Sequence, residues 1–270
     1  QQKVLRPVQK QNFLQDPVRA FRAARLSSRL PDFRVHVELL QAMQDVSKAG
    51  LLGQAAVERL GQELQLACSA PRPGNFLRLL AKTGNLELWL PELEQTRKIP
   101  AGPGYEDQSL LQHLAGLMDS AAGNPLLVWI AMSHDLGKTR TNPAYWPRHY
   151  LHDYLGPKLV RGLGQRLKLP ARQIQAAELA AAWHLAACGY YRLAPGRKVD
   201  MLLNLHKKGL IKEFMTLLQL IHGPKLQEHA GRDLDRILRV HLPMQYRELG
   251  PESGRMLKSL QVKALQGREA

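Results

Sequence analysis

The sequence predicts an all-α protein. Almost every segment repeats its apolar residues at the helical spacing of three to four. No convincing strand with alternating apolar and polar residues is found, and no Asn-Gly hairpin turn is present. A chain of 270 residues is long enough to bury a large core in one or two domains.

Composition narrows the class of protein further. Hydrophobic residues make up 44% of the chain, as in soluble globular proteins, and no apolar run approaches the ~20 residues of a membrane helix. The basic, polar N-terminus lacks the apolar core of a signal peptide. Two cysteines give no disulfide framework, so we expect a reducing, cytoplasmic location. Because no apolar run is long enough for a membrane helix, we expect no membrane partner.

The net charge indicates the partner. An excess of +15, with an isoelectric point near 10.1, favours a polyanion, in practice RNA, over a chain that is simply basic. Aromatic residues make up only 6% of the chain, which argues against a sheet-based platform for stacking bases.

The N-terminal half begins with a basic segment, residues 1–11, followed by a helix. Asp16 is predicted to cap this helix and Pro17 to occupy its first position. Four arginines share about a third of the helix circumference. A solvated basic face explains them by spacing alone, and RNA contact is the alternative. The four are Arg19, Arg22, Arg25 and Arg29.

The remaining elements follow from the same periodicity. A helical block, residues 12–95, is followed by a linker at 96–107 that is rich in Pro, Gly and charges. Residues 108–270 form a second helical domain with a short C-terminal tail helix. The predicted helices lie near 37–48, 54–68, 73–84, 108–122, 126–136, 153–168, 171–188, 197–208, 210–222, 226–240 and 252–266.

One stretch carries the candidate chemistry. Residues 126–133 read as a buried helical run that ends in His134 and Asp135, and Gly137 is predicted to end the helix. A buried carboxylate and imidazole are costly unless they pair with each other or bind a metal. A simple hydrogen-bonded pair is the alternative.

Further histidines on apolar faces favour a metal site in a helical fold. Mixed imidazole and carboxylate ligands suit a divalent transition metal, Zn, Mn, Fe, Ni or Co, better than Ca. Such a metal activates water or polarises a phosphoryl oxygen, which predicts hydrolysis of a phosphate ester. The histidines are His113, His149, His152, His184 and His222.

The order of these motifs resembles a known family. His113, the SHDLGK segment at 133–138 and the WPRHYLH segment at 146–152 resemble the HD-domain phosphohydrolases. Within them, the chain is most similar to the HD-containing bacterial tRNA nucleotidyltransferases, the CCA-adding enzymes related to poly(A) polymerases. The segments that extend the resemblance along the chain are 15–25, 76–80, 90–93 and 250–255.

The resemblance implies roles for single residues. A helical neck and body would hold RNA, with tRNA as the form implied, and an HD-type domain would hold metal. The first metal would be bound by His113, His134, Asp135 and His222, and a second by His152 and His184 with Asp135 bridging. Asp16, Arg19, Arg22, Arg25 and Arg29 would contact RNA or nucleotide. Apart from the resemblance, Lys138 and Arg148 are candidates to bind substrate phosphate in catalysis with Asp135, because both lie next to the site and can pair with an anion.

Three departures from the family shape the functional prediction. The Gly-Gly and Asp-x-Asp head that the family carries is expected before residue 1, Gln15 replaces a Glu, and His222 replaces an Asp. We therefore expect a metal-dependent phosphohydrolase, acting on 2′,3′-cyclic nucleotides, 2′-nucleotides or other phosphoesters, without nucleotidyl transfer by this chain alone. The alternative is a non-catalytic RNA-binding portion of a split or truncated tRNA nucleotidyltransferase, with its head on a separate chain.

Overall fold

Helices provide nearly all of the regular structure in the computed structural model, which describes residues 3–105, 107–223 and 226–267. Fourteen α-helices lie within this part of the chain, so the predicted all-α class is confirmed. Two strands of two residues each were not predicted, because a strand of two residues is too short to be recognised from its sequence. They are β1 (Val4–Leu5) and β2 (Arg34–Val35), which pair in parallel with Val4 opposite Arg34.

The first six helices are α1 (Gln11–Gln15), α2 (Arg19–Arg29), α3 (Val37–Lys48), α4 (Val57–Cys68), α5 (Gly74–Lys82) and α6 (Pro91–Gln95). Small buried residues on α2, such as Ala20 and Ala24, let neighbouring helices approach closely. The ring of Phe21 on α2 then meets Phe76 of α5 edge-on, with centroids 5.7 Å apart. This contact lies in the core of the N-terminal block.

The start of α2 differs from its prediction. The helix begins at Arg19 with Val18 as its N-cap, and no side chain caps it. The Asp16 carboxylate is engaged instead by the guanidinium of Arg59 on α4, at 2.9 and 3.0 Å. A bidentate ion pair with a distant arginine has therefore replaced the local cap that the sequence indicated.

Two helices position the predicted metal ligands His113, His134 and Asp135. A capping box between Ser109 and Gln112 starts α7 (Leu110–Ser120). The side chain of Asn124 caps α8 (Pro125–Ser133), whose residues from 127 to 133 are all buried. The apolar run predicted at 126–133 is thus confirmed as a helix enclosed on all sides, and it delivers His134 and Asp135 directly into the interior.

The sequence predicted that Gly137 ends this helix, and that prediction is wrong. The helix stops at Ser133, and Gly137 lies inside a 3₁₀ helix, Leu136–Arg140. A Cβ at Gly137 would sit 1.9 Å from the carbonyl oxygen of His152, in the first turn of α9 (His152–Arg166). Gly137 is required because two backbones touch, not because a helix terminates there.

The chain divides into two compact units, Gln1–Ala182 and Trp183–Ala270. Helix α10 (Ala171–Cys188) contributes to both. The second unit contains α11 (Pro195–Lys207), α12 (Ile211–His222), α13 (Leu226–Leu238) and α14 (Pro251–Leu265), whose core includes Leu202, Leu205, Phe214, Leu218 and Ile237. The predicted domain boundaries at 12–95, 96–107 and 108–270 stay predictions.

Within the described part of the chain, no helix is both long enough and apolar enough to cross a membrane.

Candidate metal centre and RNA-facing residues

Three predicted ligands come together in the first unit. Candidate ligand atoms of His113, His134 and Asp135 all lie within 4.8 Å of one another. His134 Nε2 lies 3.4 Å from Asp135 Oδ2, and both side chains are buried, while His113 is half-buried on α7. Two imidazoles and a carboxylate at this spacing are a donor set that fits a divalent transition metal.

Backbone carbonyls orient two of the imidazoles. His134 Nδ1 donates to the carbonyl oxygen of Ala131 at 3.0 Å, so its Nε2 carries the lone pair that faces the cluster. His152 Nδ1 donates to the carbonyl of His149 at 2.6 Å, and its Nε2 lies 3.4 Å from Asp135 Oδ1. His134 and His152 therefore approach different oxygens of the Asp135 carboxylate.

Burial lowers the pKa of His113, against a raising effect from the negative charge of Asp135. An imidazole whose pKa is lowered stays neutral at physiological pH, and only the neutral form binds a metal. The environment of His113 is thus consistent with the ligand role that the resemblance implies.

The ammonium group of Lys138 is bound by two groups of the protein itself. Its ammonium lies 2.7 Å from Asp135 Oδ2 and donates to the carbonyl oxygen of Ala101 at 2.6 Å. Ala101 belongs to residues 99–109, here called the strap, whose ends are joined by an antiparallel bridge between Pro100 and Ser109. The predicted contact of Lys138 with substrate phosphate stays a prediction, and would require its ammonium to leave one of these partners.

Both ring nitrogens of His149 contact other groups of the protein. Its Nε2 donates to the carbonyl of Pro100 in the strap at 2.9 Å, and its Nδ1 lies 2.8 Å from Oγ1 of Thr141. Burial is the main reason that its pKa is lowered. With both ring nitrogens engaged, His149 ties the strap to the segment that carries His152.

Three predicted site residues remain. Arg148 is exposed in the segment that leads into α9. His184 is buried on the part of α10 that belongs to the second unit, and His222 is exposed at the end of α12. His222 Nε2 lies 2.7 Å from Sγ of Cys188. Phosphate binding by Arg148 and metal binding by His184 and His222 stay predictions.

The arginines of α2 have unequal environments. Arg22 and Arg25 both donate to the buried carboxylate of Glu63 on α4, at 3.1 and 2.5 Å. Arg19 lies 3.8 Å from Asp16, whereas Arg29 is exposed and has no ion-pair partner among the described residues. Arg22 and Arg25 therefore hold α2 against α4, which is the packing role that their partly buried stems suggest.

Other cations in the N-terminal block are more accessible. Arg34, Arg72 and Lys82 are exposed, and no ion pair involving them is found in the described ranges. Arg34 and Lys82 line a groove of about 420 Å³ between β2 and α5. Arg78 lines the same groove but is paired with Asp119 at 2.8 Å. Exposed cations are the groups with which proteins contact the phosphates of nucleic acids.

Sequence reasoning missed Glu63 and the strap. Glu63 shares a helix face with Leu60, Leu64 and Ala67, so an acid on an apolar face was the available signal. The strap resembled an ordinary linker because its carbonyl groups, which bind Lys138 and His149, leave no trace in the residue types.

Comparison with known proteins adds independent findings. Residues 32–96 match the family model described as "Probable RNA and SrmB- binding site of polymerase A". A "Multifunctional CCA protein" of Stenotrophomonas maltophilia is 32% identical over 98% of this chain and 70% of its own length. One from Xanthomonas campestris is 36% identical over 68% of this chain, and the match covers 47% of that relative.

Solved structures share the fold. "The complex structure of CCA-adding enzyme with CTP" aligns over 98% of this chain and 60% of that one, with a TM-score of 0.59 and 15% identity. The "Thermotoga maritima CCA-adding enzyme complexed with tRNA_CCA" aligns over 100% and 62%, with a TM-score of 0.56 and 16% identity. At these identities, the likeness shows the fold alone.

An all-α chain with these matches is a protein of the tRNA nucleotidyltransferase and poly(A) polymerase class. Within that class, it belongs to the family of multifunctional CCA proteins.

The expected enzyme class is therefore wrong. We expected an HD phosphohydrolase without nucleotidyl transfer, whereas the relatives are multifunctional CCA proteins and the structures that share the fold are CCA-adding enzymes. The physical reason is that a cluster of imidazoles and a carboxylate fixes what a site can bind but not the reaction, because one fold hosts many chemistries.

Proposed function

We propose that this chain is the RNA-holding portion of a tRNA nucleotidyltransferase, and that it binds tRNA through the exposed cations of its N-terminal block. The observation that carries the proposal is the match of residues 32–96 to an RNA-binding family, because the same stretch contains the accessible cations Arg34, Arg72 and Lys82. The Thermotoga maritima CCA-adding enzyme, which shares the fold, was solved in complex with tRNA, and this supports tRNA as the RNA bound.

The balance of charge within the block supports the same surface. Arg22 and Arg25 share the carboxylate of Glu63, which compensates one of their two charges and holds both guanidinium groups against α4, so they are less available to a phosphate. Arg34 and Lys82 keep their charges exposed on one groove. Contacts of this kind hold the backbone of RNA without reading its sequence, which suits a protein whose substrates are tRNAs of many sequences.

We also propose that His113, His134 and Asp135 bind a divalent metal. Ni, Co, Mn, Fe and Zn all suit this donor set, and His152 would position Asp135 from its other side. Such a metal supplies positive charge against a phosphate oxygen. The ammonium of Lys138 shares Asp135 Oδ2 and would be the competitor of the metal for that oxygen.

The RNA surface is tested with the double variant Arg34→Ala, Lys82→Ala. We expect tRNA affinity, measured by fluorescence anisotropy, to fall roughly tenfold because two phosphate contacts are lost. Arg161→Ala is the matched control: Arg161 is an exposed cation in the same unit that is already paired with Glu178. We expect its affinity to match that of the unaltered chain.

Arg25→Ala separates charge from packing. Because Arg25 binds the buried Glu63, its loss should reduce the free energy of unfolding while leaving tRNA affinity nearly unchanged.

Equal tRNA affinity for the unaltered chain and the Arg34→Ala, Lys82→Ala variant would refute the proposal that the groove lined by Arg34 and Lys82 holds RNA.

A further inference from the structure

Residues 145–154, here called the aromatic loop, expose an unusual set of side chains. Tyr145 and Tyr150 are 58% and 57% exposed, and Tyr154 is 81% exposed. The chain has seven tyrosines, and three of them lie within these ten residues. A local cluster of exposed rings in a chain with few aromatics indicates a binding surface, since large apolar groups are otherwise kept from water.

Polar contacts on the inner side of the loop hold it in place. His149 donates to the carbonyl of Pro100 in the strap, and His152 donates to the carbonyl of His149. The indole nitrogen of Trp146 donates to Oγ1 of Thr141 at 3.2 Å. Because these groups are fixed inside, the loop can bind a ligand with little loss of conformational freedom.

The backbone turns the apolar side chains outward. Leu151 adopts φ of 62°, the left-handed region that a branched residue rarely occupies. It is 67% exposed, whereas the next residue, His152, is buried against Asp135. The rings of Tyr145 and Tyr150 meet edge-on at 5.6 Å, and both side chains stay more than half exposed.

The charge around the rings selects the class of ligand. Arg148 is exposed between Tyr145 and Tyr150 in the sequence. Lys158 is exposed one helical turn after Tyr154 on α9, which places both on the same helix face. Asp153, the acid within the loop, is half-buried. Exposed rings, together with two exposed cations for which no ion pair is found among the described residues, suit a ligand that carries both bases and phosphates.

We propose that the aromatic loop binds single-stranded RNA by stacking unpaired bases on Tyr145, Tyr150 and Tyr154, with Arg148 and Lys158 contacting the backbone. Only unpaired bases offer faces that can stack on exposed rings, since the faces in a duplex are covered. The inference rests on the proposed function for its choice of RNA, but it uses a surface outside residues 32–96.

The test compares two triple variants of the full chain. Tyr145, Tyr150 and Tyr154 are replaced together by Ala or by Phe, and the probe is fluorescein-labelled oligo(A) of about six nucleotides, close to the length of such sites. We expect the Ala variant to bind at least roughly tenfold more weakly, because stacking on each ring is lost. The Phe variant should bind as the unaltered chain does, because its rings remain.

Several controls separate this surface from the groove. A blunt duplex RNA should bind all three chains equally, and the Arg34→Ala, Lys82→Ala variant should retain its affinity for oligo(A). Failure of the proposed function would appear in the tRNA assay, whereas failure of this inference would appear with oligo(A). Because the rings are exposed, thermal unfolding should be unchanged in the Ala variant, and the single variant Tyr154→Ala repeats the test if it is not.

Three results would overturn the inference. One is oligo(A) affinity that survives in the Ala variant. Another is an equal loss in the Phe variant, which would show that ring faces do not bind the RNA. The third is a change from dimer to monomer on gel filtration with unaltered oligo(A) binding, which would make the loop an interface between copies of this chain.

Discussion

At the scale of single residues, the candidate metal centre depends on how each ring is oriented. The carbonyl of Ala131 fixes which nitrogen of His134 faces Asp135, and the carbonyl of His149 does the same for His152. Partners of this kind reduce the entropy lost when a metal binds and set the basicity of the ligand. The centre is thus preorganised by backbone groups as well as by its ligands.

We expect Asp135→Ala to abolish binding of a divalent transition metal. The carboxylate is the only negative charge in the His113, His134 and Asp135 group, so two imidazoles remain. Metal content after equilibrium dialysis against Ni²⁺, Co²⁺, Mn²⁺ or Zn²⁺ measures the effect. Asp45→Ala, which removes an exposed carboxylate on α3, is the control and should retain full content. Full metal content in Asp135→Ala would remove Asp135 from the ligand set.

The two cysteines should differ in reactivity. Burial raises the pKa of Cys68 to about 12, whereas Cys188 is exposed. A disulfide reagent at neutral pH should therefore titrate one thiol per folded chain and two in denaturant. Rapid reaction of two thiols in the folded chain would contradict the burial of Cys68.

The raised pKa of Cys68 also predicts how stability depends on pH. Between the ordinary value of 9.0 and about 12, the folded state retains a proton that the unfolded state releases. Stability should therefore fall as pH rises above 9, by up to ~1.4 kcal/mol per pH unit from this group. The difference between the unaltered chain and Cys68→Ala in chemical denaturation isolates the contribution.

The burial of single residues was predictable from sequence where neighbours in the chain suffice. His134 and Asp135 were recognisable because they interrupt an apolar run and are adjacent. The partners of Asp16 and Lys138 were not recognisable, because Arg59 and Ala101 are 43 and 37 residues away. Side-chain partners that are distant in sequence depend on how helices pack, which local spacing does not encode.

At the scale of elements, the 3₁₀ helix Leu136–Arg140 and the first turn of α9 interlock. The backbone of Gly137 packs directly on the carbonyl of His152, and Gly156 completes the contact. This close approach brings His152 to Asp135, so the geometry of the cluster depends on a residue that has no side chain.

Gly137→Ala should destabilise the fold by about 1–3 kcal/mol, because its Cβ would overlap the carbonyl oxygen of His152. Gly162→Ala is the matched control: Gly162 lies on the exposed face of α9, with nothing within 4 Å of the added Cβ. That control should be stabilising by about 0.5–1 kcal/mol through helix propensity. Urea denaturation measures both, and similar effects for the two variants would contradict the interlock.

The helices themselves were largely predictable. The apolar spacing identified α3, α10 and α12 to within a residue or two, because burial of one face dominates the choice of residues. The ends of helices were less predictable, and the predictions at Asp16 and Gly137 were wrong. There, tertiary contacts override the local capping signals.

At the scale of the whole molecule, the charge of +15 predicts strongly salt-dependent binding of tRNA. Each phosphate contact releases counterions, so affinity should fall by several orders of magnitude between ~50 and ~200 mM salt if six or more contacts form. Anisotropy titrations at several salt concentrations measure the slope. Affinity that is constant over this range would show that the charge plays no part in RNA binding.

The fold class followed from the sequence, but the reaction did not. Periodicity alone indicated helices throughout, and the residues that resemble the CCA-adding enzymes indicated the correct family. The error came from assigning an enzyme class to the His134 and Asp135 cluster. Metal ligands describe one local site, whereas the reaction depends on every group that meets the substrate.

Lys138 makes the strap and the candidate metal centre parts of one equilibrium. Its ammonium binds Asp135 and the carbonyl of Ala101 at once, and the strap continues directly from the block that contains residues 32–96. A cation that binds Asp135 Oδ2 in place of Lys138 would change the free energy with which Lys138 holds the strap. Thermodynamic reciprocity then applies: if RNA bound to that block shifts the strap and alters metal affinity by some factor, metal alters RNA affinity by the same factor.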